Sequence, residues 1–134
     1  MKIIWITGVY ILLLMTIIYL AGHHQYHDLF LIIRSVPGGD KSGHFLLMGM
    51  LSFLLNTSLR CRAVDVRTRH VLLGSVIVSI AVTLEEVSQI FVQYRSFDLV
   101  DLLFDYLGIW VFGKVALYVR ARRKFEPGGV DKPA

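Results

Sequence analysis

The stretch GGDKSGHFLLMGMLSFLL, residues 38–55, places Asp40, Lys41 and His44 at the start of a long apolar segment. Pro37, Gly38 and Gly39 interrupt regular structure, and Asp40 or Ser42 can cap a helix that begins there. An ionised side chain at membrane depth costs about 3 kcal/mol or more unless it is paired or hydrated. The stretch therefore predicts an apolar helix with a polar site at its first turn.

The apolar residues of the whole chain are gathered into segments of this kind. The chain is 55% hydrophobic and 18% charged, against about 45–50% and about 25% in soluble domains. A membrane-spanning helix needs about 20 apolar residues, and residues 3–21, 42–59, 71–92 and 99–118 approach or meet that length. The predicted fold is all-α, a small four-helix transmembrane bundle in residues 1–119, followed by a basic, disordered tail at residues 120–134.

The basic residues predict how this bundle is oriented. Most of them lie in RCRAVDVRTRH (60–70) and RARRK (120–124), so the positive-inside rule places these segments and both termini in the cytoplasm. The first segment is too long for a signal peptide and lacks a small-residue cleavage pattern, so we expect an uncleaved helix. The net charge of +4 reflects this asymmetry, and no nucleic-acid partner is expected. Cys61 is expected to be an unpaired surface thiol.

An acidic stripe follows in RSFDLVDLLFDYLG, residues 95–108. Asp98, Asp101 and Asp105 are spaced i, i+3 and i+7, so they project within about 60° of one another on one helix face. Asp105 then lies about 10 Å below Asp98 along the helix axis. The pattern predicts a helix with an acidic face and a lipid-compatible back.

The third segment adds a glutamate pair in TLEEVSQIFVQYR, residues 83–95. Glu85 and Glu86 each lie within one turn of Gln89, and spacing alone does not decide which glutamate faces inward. Three helices thus bring polar groups to similar depths, which predicts an outward-facing polar pocket. Its acids outnumber its bases, Lys41 and Arg95, so protonation, water, a cation or a basic ligand must balance the charge. The alternative is a hydrogen-bonded network that only holds the helices together.

The long connection before residue 38 carries two further features. His23, His24 and His27 are expected to contact headgroups and water rather than a metal. The apolar segment 28–36 is expected to lie in the membrane interface.

Three motifs together resemble the signature of the VanZ-like family of bacterial membrane proteins. They are DKSGHF (40–45), EVSQ (86–89) and RSFDLVDLLFDYLG (95–108), within residues 38–113. The matching positions are Asp40, Lys41, His44, Phe45, Glu86, Gln89, Arg95, Asp98, Asp101 and Gly108. The resemblance favours Glu86 as the inward glutamate, whereas Asp105 stands where the family usually has asparagine. It implies a multi-pass protein of the bacterial cytoplasmic (inner) membrane and a link to the cell envelope or to teicoplanin-type glycopeptide resistance.

The predicted ligand-binding pocket supports two main hypotheses. Its residues are Asp40, Lys41, His44, Glu86, Gln89, Arg95, Asp98, Asp101 and Asp105. In the first hypothesis, Lys41 and Arg95 bind the anionic headgroup of a membrane lipid, an envelope-precursor lipid or a lipoglycopeptide, and the 28–36 segment guides an acyl chain. In the second, a membrane-embedded enzyme acts on a lipid-linked substrate.

The enzyme hypothesis assigns His44 as a general base or metal ligand, with Asp98 and Asp101 as further ligands. No motif favours a particular reaction or identifies a cofactor. Conduction of protons or cations is disfavoured, because the inner half of the bundle is expected to be almost entirely apolar.

Overall fold

The computed structural model describes residues 2–21, 35, 37–91 and 97–125, which are mostly helical. The elements are α1 (Lys2–Ala21), α2 (Gly39–Ser58), β1 (Ala63–Val66), β2 (Arg69–Leu72), α3 (Leu73–Ser88), a 3₁₀ turn (Gln89–Phe91) and α4 (Leu99–Phe125). Helices therefore form in all four predicted apolar segments.

Three stretches of these helices are long and apolar enough to cross a membrane: Lys2–Leu20, Leu73–Phe91 and Leu99–Arg123. The segment in α2 is not among them, so four membrane-spanning helices are not confirmed. The reason lies in the position of α2, which contacts each of the other three helices. A helix surrounded by protein does not need an apolar surface on every side, and α2 buries the polar Ser52 and Asn56.

Helices α2 and α4 run parallel to each other. Near their beginnings Lys41 pairs with Asp101, and near their far ends Arg120 donates to the carbonyl of Cys61. Helix α3 returns in the opposite direction between these ends. The buried apolar core consists of Val78, Val82, Leu102 and Ile109, with Met48, Leu51 and Leu55 packed against it.

Helix α1 lies antiparallel to α2 and is held by polar contacts within an apolar surface. The hydroxyls of Thr7 and Ser58 are 2.8 Å apart, and the Tyr10 hydroxyl donates to the carbonyl of Leu47. Much of α1 is otherwise exposed, including Trp5.

Small residues allow α2 and α4 to approach closely, as is common between membrane helices. The backbone of Gly108 lies directly against the carbonyl of Phe45, so that a Cβ atom there would overlap it. The Phe45 ring also packs edge-on against Phe112, with ring centroids 5.9 Å apart. Two residues of the sequence motifs, Phe45 and Gly108, thus form a packing contact between these helices.

The segment after α2 departs from the all-α prediction. Residues 63–72 form an antiparallel β-hairpin whose two-residue turn is Arg67 and Thr68. Before it, α2 ends in a Schellman motif, in which the amide of Cys61 donates to Asn56 O and that of Arg60 to Thr57 O. Cys61 is buried, so the prediction of a surface thiol is wrong. The motif turns the chain inward at this residue.

The last helix is longer than predicted. Helix α4 continues to Phe125, so residues 120–125, which were assigned to a disordered tail, are helical. Residues 126–134 lie outside the described residues. So do His23, His24, His27 and the 28–36 segment except Ser35.

Candidate functional site

Polar side chains meet at the end of the bundle where α2 and α4 begin and α3 ends. We call this group the outer polar cluster: Asp40, Lys41, His44, Glu86, Gln89, Asp98, Asp101 and Asp105. The remaining predicted site residue, Arg95, lies outside the described residues. The cluster forms because each helix carries its polar residues on the face that packs against the other two.

His44 joins two carboxylates from α4. Its Nδ1 atom lies 3.1 Å and 3.2 Å from the two carboxylate oxygens of Asp105, which is fully buried. Its Nε2 atom lies 3.7 Å from Oδ2 of Asp101. Asp105 thus fixes the orientation of the imidazole.

Lys41 stands at the rim of the cluster. Its Nζ atom donates to Oδ1 of Asp101 at 3.3 Å, and its side chain is 39% exposed, whereas that of Asp101 is 5% exposed. Asp40 is half-buried, and one of its carboxylate oxygens, a ring nitrogen of His44 and an oxygen of Asp101 lie within 4.8 Å of one another. Charged groups at the rim therefore surround a buried carboxylate.

Glu86 connects the end of α3 to the start of α4. It is buried, its Oε1 atom accepts the backbone amide of Asp98 at 2.8 Å, and its Oε2 atom accepts from Gln89 at 2.7 Å. Glu85 is half-buried and accepts a second, longer bond from Gln89 at 3.2 Å. Glu86 is therefore the inward glutamate of the pair.

Asp98 has a structural position at the start of α4. Its Oδ1 atom accepts the amide of Val100 at 2.8 Å, as an N-capping side chain does. Its own amide is held by Glu86. Asp98 thus serves as a helix cap, and the group that converges with His44 and Asp101 is Asp40 rather than Asp98.

A second group of polar residues, the inner polar cluster, was missed by the sequence analysis. Asn56 is fully buried and donates to the hydroxyls of Ser52 and Ser75 at 3.2 and 2.9 Å. Its carbonyl oxygen accepts the amide of Ser75 at 3.2 Å. Ser52 donates to the carbonyl of Ile109. The expectation of an almost entirely apolar inner half is wrong, and the i, i+4 spacing of Ser52 and Asn56 was the available signal.

The buried polar side chains of both clusters are hydrogen-bonded. Among the described residues, every buried side-chain nitrogen and oxygen atom has a hydrogen-bond partner. Because unpaired polar groups are costly in a low-dielectric interior, such networks hold a single arrangement of the helices.

No protein-family model matches the chain, and the searches of curated proteins and of solved structures also returned no match. The function must therefore be argued from the motifs and from the geometry of the two clusters.

Proposed function

We propose that this chain is a VanZ-like, multi-pass protein of the bacterial cytoplasmic membrane that binds an anionic headgroup at the outer polar cluster. The ligand would be a membrane lipid or a lipid-linked envelope precursor, or the lipid-tailed glycopeptide that such proteins are associated with. Binding of this ligand would contribute to maintenance of the cell envelope or to glycopeptide resistance. The observation that carries the proposal is the position of Lys41, a half-exposed cation above buried carboxylates at a helix end.

The surface of the bundle supports a membrane location. Helix α1 has 20 residues and therefore spans about 30 Å, close to the thickness of the hydrocarbon core. It exposes Trp5, Val9 and Leu12, which would be unfavourable in water. Helix α2 has the same length, and we propose that it crosses the membrane as the fourth, protein-surrounded span.

The two ends of the bundle differ in charge, which supports the proposed orientation. The hairpin turn residue Arg67 and the α4 residues Arg122 and Arg123 lie at the end opposite to the outer polar cluster and are exposed. Under the positive-inside rule, this basic end faces the cytoplasm. The outer polar cluster then faces the outer leaflet, where envelope lipids are assembled into the wall or outer layers.

Lys41 has the chemistry for a phosphate-bearing headgroup. An ammonium group has three donors, and Asp101 accepts one of them. Because the Lys41 side chain is 39% exposed, we expect its remaining donors to bind phosphate oxygens at the rim. Arg95, which lies in the same sequence motif as Asp101, is the second cation of the proposed site.

Apolar side chains beside the cluster suit the acyl chains of such a ligand. Phe91 is 85% exposed at the end of the 3₁₀ turn, and Leu99 and Leu103 are exposed on α4. A lipid whose headgroup contacts Lys41 would place its chains along this surface without entering the core. The proposed site is thus open to the membrane as well as to the outer aqueous phase.

Native mass spectrometry of the full chain, purified in mild detergent, tests the proposal. Wild type is compared with Lys41→Gln and with Lys114→Gln, which removes an exposed lysine of α4 outside the cluster. We expect an anionic lipid to remain bound to wild type and to Lys114→Gln, and to be lost from Lys41→Gln. An Arg95→Ala variant is expected to lose it as well.

Equal retention in Lys41→Gln and wild type would refute the assignment of the headgroup to this cluster. Absence of any bound anionic lipid from wild type, including after incubation with phosphatidylglycerol and an undecaprenyl phosphate, would refute lipid binding itself.

A further inference from the structure

We infer that Asp40, the Nε2 atom of His44 and Asp101 form a binding site for one divalent cation, with Zn²⁺ the best-matched ion. Asp105 orients the imidazole for this role. Binding of this cation does not require that a lipid binds.

The donor set is mixed rather than merely acidic. One imidazole nitrogen and two carboxylates are ligands that Zn²⁺ and similar ions bind in proteins. An oxygen of Asp40 and a ring nitrogen of His44, from the start of α2, and an oxygen of Asp101, from the start of α4, lie within 4.8 Å of one another. Two helices packed through Phe45 and Gly108 hold these ligands close together in space.

The spacing of the best-defined pair fits one shared ion. Nε2 of His44 and Oδ2 of Asp101 are 3.7 Å apart. Two ligands that each lie about 2.1 Å from a tetrahedral Zn²⁺ are separated by about 3.4 Å. A shift of a few tenths of an ångström in either side chain would therefore bring both within bonding distance.

The other side of the imidazole faces a buried carboxylate. A metal-bound histidine typically donates its remaining N–H to a carboxylate, which fixes the tautomer and raises the basicity of the ligating nitrogen. His44 meets this pattern because Nδ1 faces both oxygens of the fully buried Asp105. A proton on Nδ1 leaves Nε2 with its lone pair directed to the side of Asp101.

The charges around the site also favour a cation. Glu86 and Asp98 are already engaged in joining α3 to α4, and Lys41 neutralises part of the charge of Asp101 through Oδ1. Oδ2 of Asp101 faces Nε2 of His44, and a carboxylate oxygen of Asp40 lies within 4.8 Å of a ring nitrogen of the same histidine. Three protein ligands leave a fourth position for water or for an oxygen of a bound molecule, as in open zinc sites. A phosphate oxygen at that position would lie close to Lys41.

The test measures binding of Zn²⁺ alone to the full chain in detergent micelles. Protein stripped with a chelator is dialysed against Zn²⁺ at increasing concentrations, and bound metal is quantified by mass spectrometry. We expect one saturable ion per chain. His44→Ala removes a ligand and Asp40→Asn replaces a carboxylate ligand by a neutral amide, so each should weaken binding by at least about tenfold.

Two further variants distinguish a metal site from a hydrogen-bonded network that only holds the helices together. His70 pairs with Asp65 on the exposed hairpin, so His70→Ala is the matched control and should leave Zn²⁺ binding unchanged. Asp105→Asn retains an oxygen that can accept from Nδ1 but removes the charge. It should keep the stoichiometry of one and lower the affinity by about 10–100-fold, which is the usual effect of a lost supporting carboxylate.

Helicity of each variant is checked by circular dichroism, and Asp40→Asn at the half-buried rim serves if His44→Ala fails to fold. No saturable ion in wild type, or equal affinity in wild type and Asp40→Asn, would show that His44 only bridges two aspartates. Lipid retention is measured on the same samples, so that failure of metal binding and failure of the proposed lipid binding are scored separately.

Discussion

Replacement of Asn56 by alanine tests whether the inner polar cluster stabilises the bundle. Asn56 lies on α2, yet its carbonyl oxygen accepts the amide of Ser75 in the first turn of α3. The residue at the N-cap position of α3 is Leu72, which has no capping side chain. Amides in the first turn of a helix have no partner within that helix. Asn56 therefore caps α3 from a neighbouring helix.

The magnitude follows from the bonds that the variant loses. A buried donor left without a partner costs about 1–3 kcal/mol. The two bonds donated to the hydroxyls of Ser52 and Ser75 add about 0.6 kcal/mol each if they behave as average membrane-protein hydrogen bonds. We therefore expect Asn56→Ala to lower the free energy of unfolding by about 2–4 kcal/mol.

The assay is equilibrium unfolding in mixed micelles of a mild detergent and sodium dodecyl sulfate, followed by helicity. Thr57→Ala is the matched control, because the hydrogen bond of the Thr57 hydroxyl among the described residues stays within its own helix, to the carbonyl of Phe53. We expect a change of about 0.5 kcal/mol or less for this variant. If Asn56→Ala unfolds within that same margin of wild type, the capping argument is refuted.

The same unfolding assay tests three further expectations. Gly108→Ala should destabilise the chain by about 2 kcal/mol or more, because the new Cβ meets the α2 backbone. The control, Gly8→Ala, adds a Cβ that meets nothing within 4 Å and should be neutral or slightly stabilising. Equal effects of the two variants would contradict the close contact between α2 and α4. Glu86→Ala should cost about 2–3 kcal/mol by leaving the Asp98 amide unpaired, and a similar loss in Glu85→Ala would argue against a special role for Glu86. Arg60→Gly should raise the free energy of unfolding by about 1 kcal/mol, because Arg60 has a φ of 52° that glycine adopts without strain. A destabilised variant would contradict this prediction.

The sequence predicted the helices and the residues of the outer polar cluster because both depend on local patterns. Apolar length predicted where helices form, and the spacing of Asp98, Asp101 and Asp105 placed them on one face. Spacing did not predict which partner each residue would take. Asp98 became a cap because the chain enters α4 at that residue, and Asp40 came close to Asp101 because α2 and α4 run parallel, which no local pattern encodes.

The errors have a common physical origin. Ser52, Asn56 and Ser75 are small polar residues within apolar runs, and their importance depends on contacts between helices far apart in sequence. The hairpin after α2 was not predicted because the four arginines of residues 60–70 bear on the orientation of the segment under the positive-inside rule and not on its conformation. Cys61 is buried because the Schellman motif at the end of α2 turns it inward, although its neighbours Arg60 and Arg62 are exposed.

The inner polar cluster does not by itself provide a conduction path through the bundle. His44 and Ser52 are separated by eight positions on α2, or about 12 Å. Between the two polar clusters lie Val78 and Val82 of α3 with Met48 and Leu51 of α2, which belong to the apolar core. A proton or cation that reached the outer polar cluster would meet this apolar layer before the inner one. The inner polar cluster instead caps α3 through Asn56. Among the described residues the outer polar cluster is thus closed on its inner side by the apolar core, which is compatible with the proposed binding of a headgroup or a cation.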